Sequence, residues 1–597
     1  MRKQLSAVCA TLVAIGAAGF GAIVPAHAFV GVVDCATLKT DLATATSGDV
    51  YTLHDASGLC TNAPFTINTG AQVTIQGQTQ AEGFDGTAST RILTGVDNGA
   101  TVITNLTFKN GSTANNGAAI GLSGSASPTV SNSIFLSNNA TQTGGAINVQ
   151  VSGDATLTGN TFGALGQPNT AAGFAGGAAF VQSQAHVNVS GNQFLYNSLT
   201  GSNSAGGGGG IAVFSLSTDA NAATFTNNIL VGNTTDGNSG AGAFIESSGG
   251  QVITGNTFRA NVINFPQQTQ VDEKGAGLSI VLLAQSGGST TVVQAHNLFD
   301  SNLIHGGIVG AVARSVAPPP PFDYGGAGEF AVAPSVISTD DTYVGNHVDS
   351  SSNTGIPIGG GFALQGNSSG NETQKTTLTA ANMVVANNSV GSSGEGGGVY
   401  AGFDTGCSQP PCTAEVDAFD STVTANSVGA GGSGPEMAGN TTDTAKLVNS
   451  IVTGPVGSQT DVEGFGTFTA TYSDVCNAGA AVSGTGNICK DPLLKNVAGN
   501  DVHQTSASPT FDTGNSALVP SGLTQDYEGD PRISGARVDI GADEIVVAVP
   551  TLPLSGQSSV LQGSVVLWLG GFGLLLLVLA TGGLGLIRYR GRSGSVQ

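Results

Sequence analysis

Two adjacent carboxylate pairs, Asp340 with Asp341 in "STDDTYVGN" and Asp272 with Glu273 in "QVDEKG", are the best candidates for acid–base chemistry in the middle of the chain. Close carboxylates can hydrolyse a glycosidic bond by dividing the roles of acid and base or nucleophile. A basic residue beside carboxylates that hold Ca2+ would instead support elimination on an acidic polysaccharide. Between residues 100 and 446 the basic side chains are Lys109, Arg259, Lys274, Arg314, Lys375 and Lys446, scattered rather than grouped. Successive strand residues point to opposite faces, so neither carboxylate pair converges without help from another strand. Asp341 also fills the first place of a repeated phrase and is read as a corner residue, with Asp340 solvated beside it. No catalytic residue is assigned, and this pair stands only as the fallback. The Gly-rich runs lack the Lys and Ser or Thr of a phosphate loop, and "CSQPPC" at 407–412 has no paired His to complete a zinc site. No cofactor or resident metal is expected, Ca2+ being the one ion such carboxylates leave open.

The elements that must position these residues come from a recurring phrase, [NDS]-x-φ-x-x-N with φ apolar. It starts at Asn105, Ser133, Asn192, Asn228, Asn256, Asn297, Asp341, Asn382 and Ser421, with degenerate copies at Asn160 and Asn449. The starts lie 27 to 44 residues apart. β-Branched and aromatic residues flank each copy in short runs, and no copy has the apolar spacing of an amphipathic helix, so the phrase reads as a strand. A Gly-rich run closing on apolar residues follows most copies, as in "GAGAFI" at 240 and "GGGFAL" at 359. One such unit cannot bury its apolar face alone, but stacked units bury a continuous core. The expected architecture is all-β, a right-handed parallel β-helix (solenoid) with capped ends. Phe135, Phe194, Phe258, Phe299 and Tyr343 should form a file inside it. The closing Asn residues, Asn110, Asn138, Asn197, Asn233, Asn261, Asn302, Asn346, Asn387 and Asn426, should stack at one corner, tolerating left-handed backbone and bonding their equivalents above and below.

Composition narrows the partners. Only 9% of the 597 residues are charged, and 39 acidic residues against 17 basic give a net charge of -22. That excludes nucleic acid, whose phosphates need clustered Lys and Arg. Residues 1–28 combine Arg2 and Lys3, an apolar run and Ala26-His27-Ala28, the pattern of a secretory signal peptide. An exported chain suits disulfides, and Cys35 with Cys60, Cys407 with Cys412 and Cys476 with Cys489 should pair locally, because a solenoid coil touches only its neighbours. Near the C-terminus Arg532, Arg537, Asp539, Asp543 and Glu544 would either bind an acidic sugar or make ion pairs that close the last coil; the second reading is preferred. Val565 to Ile587 is uncharged and long enough as a helix to cross a bilayer, with Arg588, Arg590 and Arg592 beyond it.

"DCATLKTDLATATSGDVYTL" at 34 and "VTIQG" at 73 resemble the opening of secreted bacterial right-handed β-helix repeat proteins, in which a short helix caps the first coil. Residues 447–544, ending "TQDYEGDPRISGARVDIGADE", are similar to the choice-of-anchor Q domain found before a surface anchor. The resemblance places Asp526, Arg532, Asp539 and Glu544 in its closing cap. "VPTLPLSG" resembles the IPTL-CTERM type of sorting tail, which implies a sorting protease acting near Val549, Pro550, Thr551 and Leu552. It departs from that pattern by a polar spacer before the apolar run, and "LPLSG" also resembles a sortase signal.

The expected organisation is a signal peptide (1–28), an N-terminal cap and first coils (29–110), a parallel β-helix (111–446), C-terminal coils and cap (447–545), a sorting motif and linker (546–564), a transmembrane segment (565–587) and a basic cytoplasmic tail (588–597). The protein is expected to be exported and anchored at the bacterial cell surface or outer envelope. There it would act as an adhesin or a carbohydrate- or partner-binding stalk, with surface glycans or host and neighbour-cell proteins as partners. A polysaccharide lyase or glycoside hydrolase working on a face of the solenoid is the alternative.

Overall fold

The phrase "GNTFRAN" at 255 shows how the chain turns. Thr257–Arg259 is a strand with only Phe258 buried. Gly255 and Ala260, one before each Asn, take left-handed φ of 67° and 51°, and Asn256 and Asn261 then lie buried at the two corners. The left-handed residue is therefore the one preceding the Asn, and Tyr196 (φ 57°) and Ser301 (φ 57°) fill that place as well. Of the closing Asn residues expected to adopt left-handed angles, only Asn110 and Asn387 do so.

The structure is a computed structural model that describes residues 28–201, 206–264, 275–283, 290–305, 322–349, 355–366, 375–403, 412–454, 460–479 and 482–546. Its coils stack into four parallel sheets: A with 15 strands, B and C with 13 each, and D with 10. One coil visits them in the order C (Ala243–Ser247), A (Gln251–Thr254), B (Thr257–Arg259) and D (Val262–Asn264). Fifteen strands at about 4.8 Å each give a stack of roughly 70 Å, longer than eleven phrases imply because the first and last coils lack the phrase. A two-stranded parallel sheet pairs Phe322–Gly325 with Gly355–Ile358.

Inward residues of sheet B form the aromatic file. Phe84, Phe108, Phe135, Phe162 and Phe194 stack at centroid spacings of 4.7 to 5.1 Å. Leu230 follows Phe194 in register and divides this file from Phe258, Phe299 and Tyr343, which resume it at 4.8 and 4.6 Å. Offset rings at such distances add to the burial that drives stacking.

The N-terminal end is closed by the helix Cys35–Leu42, whose Asp34 cap accepts from the Thr37 amide and whose Leu38 and Leu42 are buried. A disulfide joins Cys35 to Cys60, and another joins Cys476 to Cys489. Cys412 is disulfide-bonded; Cys407 lies outside the described residues.

Ala478, Ser483 and Ile488 bridge in parallel to the last strands of sheets C, A and B, but the chain beyond Cys489 turns back along the flank instead of closing the stack end-on. Val502 and Ala542 are buried with Val344, Val384 and Ala386, the outward residues of sheet B, and Leu494 and Tyr527 pack against them. The Ala542 amide donates to Thr422 Oγ1 (2.9 Å) and the Gly541 amide to the Asn449 carbonyl (2.8 Å). The segment is thus a strap along the flank of sheet B, covering an outer face that is apolar in these coils. Among the described residues no helix is long and apolar enough to cross a membrane. The expected signal peptide but for its last residue, the expected sorting residues Val549, Pro550, Thr551 and Leu552 and the expected span 565–587 fall outside the described residues.

Candidate functional site

Two columns of side-chain amides run through the stack, one at each corner of sheet B. At the second corner Asn138, Asn169, Asn197, Asn233, Asn261, Asn302, Asn346, Asn388 and Asn426 are linked from coil to coil. Asn261 shows the pattern. Its backbone amide and Nδ2 both donate to Asn302 Oδ1 (3.1 and 3.0 Å), and Nδ2 also donates to the Leu230 carbonyl (3.0 Å). Its Oδ1 accepts the same pair of bonds from Asn233. Every polar atom of a buried amide is satisfied, as burial requires. Gly242 makes room for it, because a Cβ there would lie 3.1 Å from Asn261 Nδ2.

Two expected members stand outside this column. Asn110 and Asn387 occupy the left-handed place one residue early, with φ of 53° and 57°, and Gly111 and Asn388 hold the ladder position. Aligning the phrase on its first Asn places Thr107 and Val384 inward, whereas Phe108 pairs with Phe135 and Val385 with Tyr343. A shift of one residue exchanges the two faces of a strand. The side chain of Asn387 reaches the strap instead, bonding the Val497 carbonyl and Asn500 Oδ1.

The first corner carries a second column that the phrase marks only as a corner: Asn160, Asn192, Asn228, Asn256 and Asn297, ending on Asp341. Asp341 Oδ1 accepts from the Asn297 amide (2.8 Å) and Nδ2 (2.9 Å), and Oδ2 accepts from Ser338 (2.6 Å). It is fully buried, and burial pushes its carboxyl up to about 7. Its neighbour in the bore is Glu329, which sequence reasoning passed over. Tyr343 donates to Glu329 Oε2 (2.7 Å) and Gln294 Nε2 donates to Oε1. Burial, opposed by those two bonds, raises Glu329 to about 8. The signal was available: Glu329 aligns with Leu278 and Phe362 in sheet C, an acid at an inward place.

Asp340 is not solvated as expected. Its side chain is 11% exposed, accepts from Asn382 Nδ2 (2.8 Å) and has its carboxyl raised by burial. Asp340 and Asp341 therefore serve opposite sides of the wall. Neither offers an open carboxylate pair, and Asp272 with Glu273 lies outside the described residues.

Asn382 leads to the strap's anchor. Arg532 is fully buried and donates through Nη1 to Asn382 Oδ1 (3.2 Å) and the Ala542 carbonyl (2.8 Å), and through Nη2 to Glu544 Oε2 (3.2 Å). Glu544 also accepts from the Asp539 amide, Asp539 from the amides of Asp512 and Ile545, and Asp526 from those of Glu528, Asp530 and Glu544. The four expected cap residues thus tie one buried knot. With the guanidinium enclosed, an acidic sugar has no access to it. The nearby group His503, Glu528 and Asp543 brings three possible ligand atoms within 4.8 Å of one another, but His503 is already bonded to Asp501 and Glu528.

What faces solvent is different in kind. From Thr74–Gly77 to Ser335–Thr339 no strand of sheet A contains a charged residue. Its outward residues are mostly Thr, Ser, Asn and Gln, with a few Val, Ala295 and Ile337 among them, and neighbours bond across coils, as Ser131 Oγ does to Thr104 Oγ1 (2.8 Å). A known family model, the right-handed beta helix region, matches residues 89–313. With four parallel sheets wound coil on coil, the fold class is settled. The chain is a right-handed parallel β-helix repeat protein. No curated protein matches the chain.

Proposed function

We propose that this β-helix is a stalk anchored at the cell surface that binds carbohydrate through the outward faces of its coils and performs no chemistry on it. The observation that carries this reading is the outer face of sheet A from Thr74–Gly77 to Ser335–Thr339, uncharged and rich in hydroxyls and amides repeated coil after coil. Such a face offers many weak, in-register hydrogen bonds and no group able to take a proton near neutral pH. Three carboxylates raised by burial are used elsewhere: Asp341 and Glu329 sit inside the bore, and Asp340 is bonded to Asn382 beside the strap. Attachment through the C-terminal tail and release by a sorting protease belong to the same proposal.

The test is a glycan array probed with the full-length protein in detergent, run beside a Ca2+-dependent elimination assay and a reducing-end assay on the same polymers. Binding without cleavage is expected. Cleavage that survives purification and disappears in a folded Asp340→Ala, Asp341→Ala double variant would replace the stalk with a lyase or hydrolase.

A further inference from the structure

A groove of about 410 Å³ runs along the corner between sheets C and A, lined by Gly124, Gln150, Val151, Ser152, Gln182, Gln184 and Leu216. Its volume falls within the range of small-ligand sites. Gln150 and Gln182 are register partners in successive coils, and their amides share one long bond of 3.4 Å. Gln184 is exposed, so most of the groove's amide donors and acceptors remain open to a ligand. The same outward column continues from Gln182 to Phe214. The Phe214 ring is partly buried and held between Phe180 and Phe244, with centroids 5.4 and 5.5 Å away. Leu216 at the groove's edge is 47% exposed.

Amides spaced by one coil, about 4.8 Å apart, followed by a fixed ring, match what a chain of sugars presents: hydroxyls at its edges and C–H faces on its rings. No lining residue is charged. The charges nearby are acidic: Asp97 bonds the Ser125 amide beside Gly124, and Asp154 and Asp219 flank His186 just beyond Gln184. A polymer carrying carboxylates would be repelled there, and the net charge of -22 adds to the repulsion. We propose that this groove binds a neutral glycan, with Gln150, Gln182 and Gln184 bonding its hydroxyls and Phe214 and Leu216 packing on its sugar rings. The inference rests on the carbohydrate reading above and names the class of ligand and the place.

Affinity electrophoresis of the full-length protein in detergent against xyloglucan, mannan and laminarin, with polygalacturonate and alginate beside them, tests it. The wild type should be retarded by at least one neutral polymer and by neither acidic one. Gln182→Ala with Phe214→Ala should weaken that binding by about ten-fold or more, the equivalent of 1.4 kcal/mol. Because the Phe214 change removes packing, Gln150→Glu with Gln182→Glu provides a surface-only variant, which should lose binding while keeping the wild-type far-UV CD spectrum. Retention of wild-type binding by either folded variant overturns the groove but leaves a carbohydrate-binding stalk standing. Preference for the acidic polymers overturns the ligand class, and no binding to any polymer defeats the carbohydrate reading itself.

Discussion

Asp341→Asn should stabilise the protein, and only when the pH is above the acid range. Asp341 stands where an amide column would otherwise continue, accepting two bonds from Asn297 and one from Ser338. Burial raises its carboxyl from 3.8 to about 7. The folded state then holds this proton more tightly than the unfolded chain does. The stability contribution is complete below the unfolded value of 3.8, declines as pH rises toward about 7 and is level above that. A shift of that size, at 1.36 kcal/mol per unit, makes the ionised form cost about 4 kcal/mol. An Asn amide keeps the oxygen that Asn297 needs and has no proton to lose, but it gives up the charged bond to Ser338, worth about 1 to 2 kcal/mol. The variant should therefore gain roughly 2 to 3 kcal/mol near pH 8 and nothing, or a slight loss, near pH 4. Urea unfolding followed by far-UV CD at those two values and one between measures it. An equal change at both ends would refute the reasoning, since it would mean that Asp341 carries the same proton in both states.

Other substitutions separate the roles of neighbouring residues. Asn261→Leu removes the acceptor of two buried Asn233 donors and should cost on the order of 3 kcal/mol, whereas Asn387→Ala leaves the ladder whole and loses only its strap bonds and its tolerance of the left-handed angle, which should cost about 1 to 2 kcal/mol in the same urea titration. Arg532→Met breaks a buried ion pair and should free the strap. Limited proteolysis should then cut within 490–546 while the β-sheet CD signal survives, and an uncut strap would contradict its dependence on Arg532. Trp568 is the only Trp in the chain, so protein released by a sorting protease near Val549 should show no Trp in its intact mass or fluorescence. A surface-derived species that keeps Trp568 would refute cleavage.

How far the residues themselves announced this structure varied with distance along the chain. The corners were readable because each is two residues long and is made by the local preference of Gly, Asn and small residues. The register was less so: at Asn110 and Asn387 an Asn stands in the left-handed place beside the ladder, and only pairing between coils reveals which of two adjacent positions points inward. Glu329 escaped notice because its partners, Gln294 and Tyr343, come from other sheets. The strap escaped for the same reason. Arg532 was marked as part of a cap, but its contact with Asn382 spans 150 residues, and nothing local says which surface such a segment will cover.

The amide columns have a direction. Each Asn donates toward the C-terminal coils and accepts from the N-terminal side, so the side-chain dipoles line up head to tail as peptide units do in an α-helix. A row aligned this way gathers partial positive charge at its donor end, where the last N–H groups have no further amide to meet. In both columns an acid stands at that end. Asn297 gives its two donors to Asp341, and Asn426 gives its backbone amide and Nδ2 to the buried Glu436 (Nδ2 to Oε2 2.6 Å). Each carboxyl supplies the last acceptor of its row, the place an acidic residue takes at a helix N-terminus, but burial here pushes it toward its neutral form. A ladder in a chain of this kind can thus be read with its polarity: an Asp or Glu appearing where Asn is due marks the end toward which the row donates.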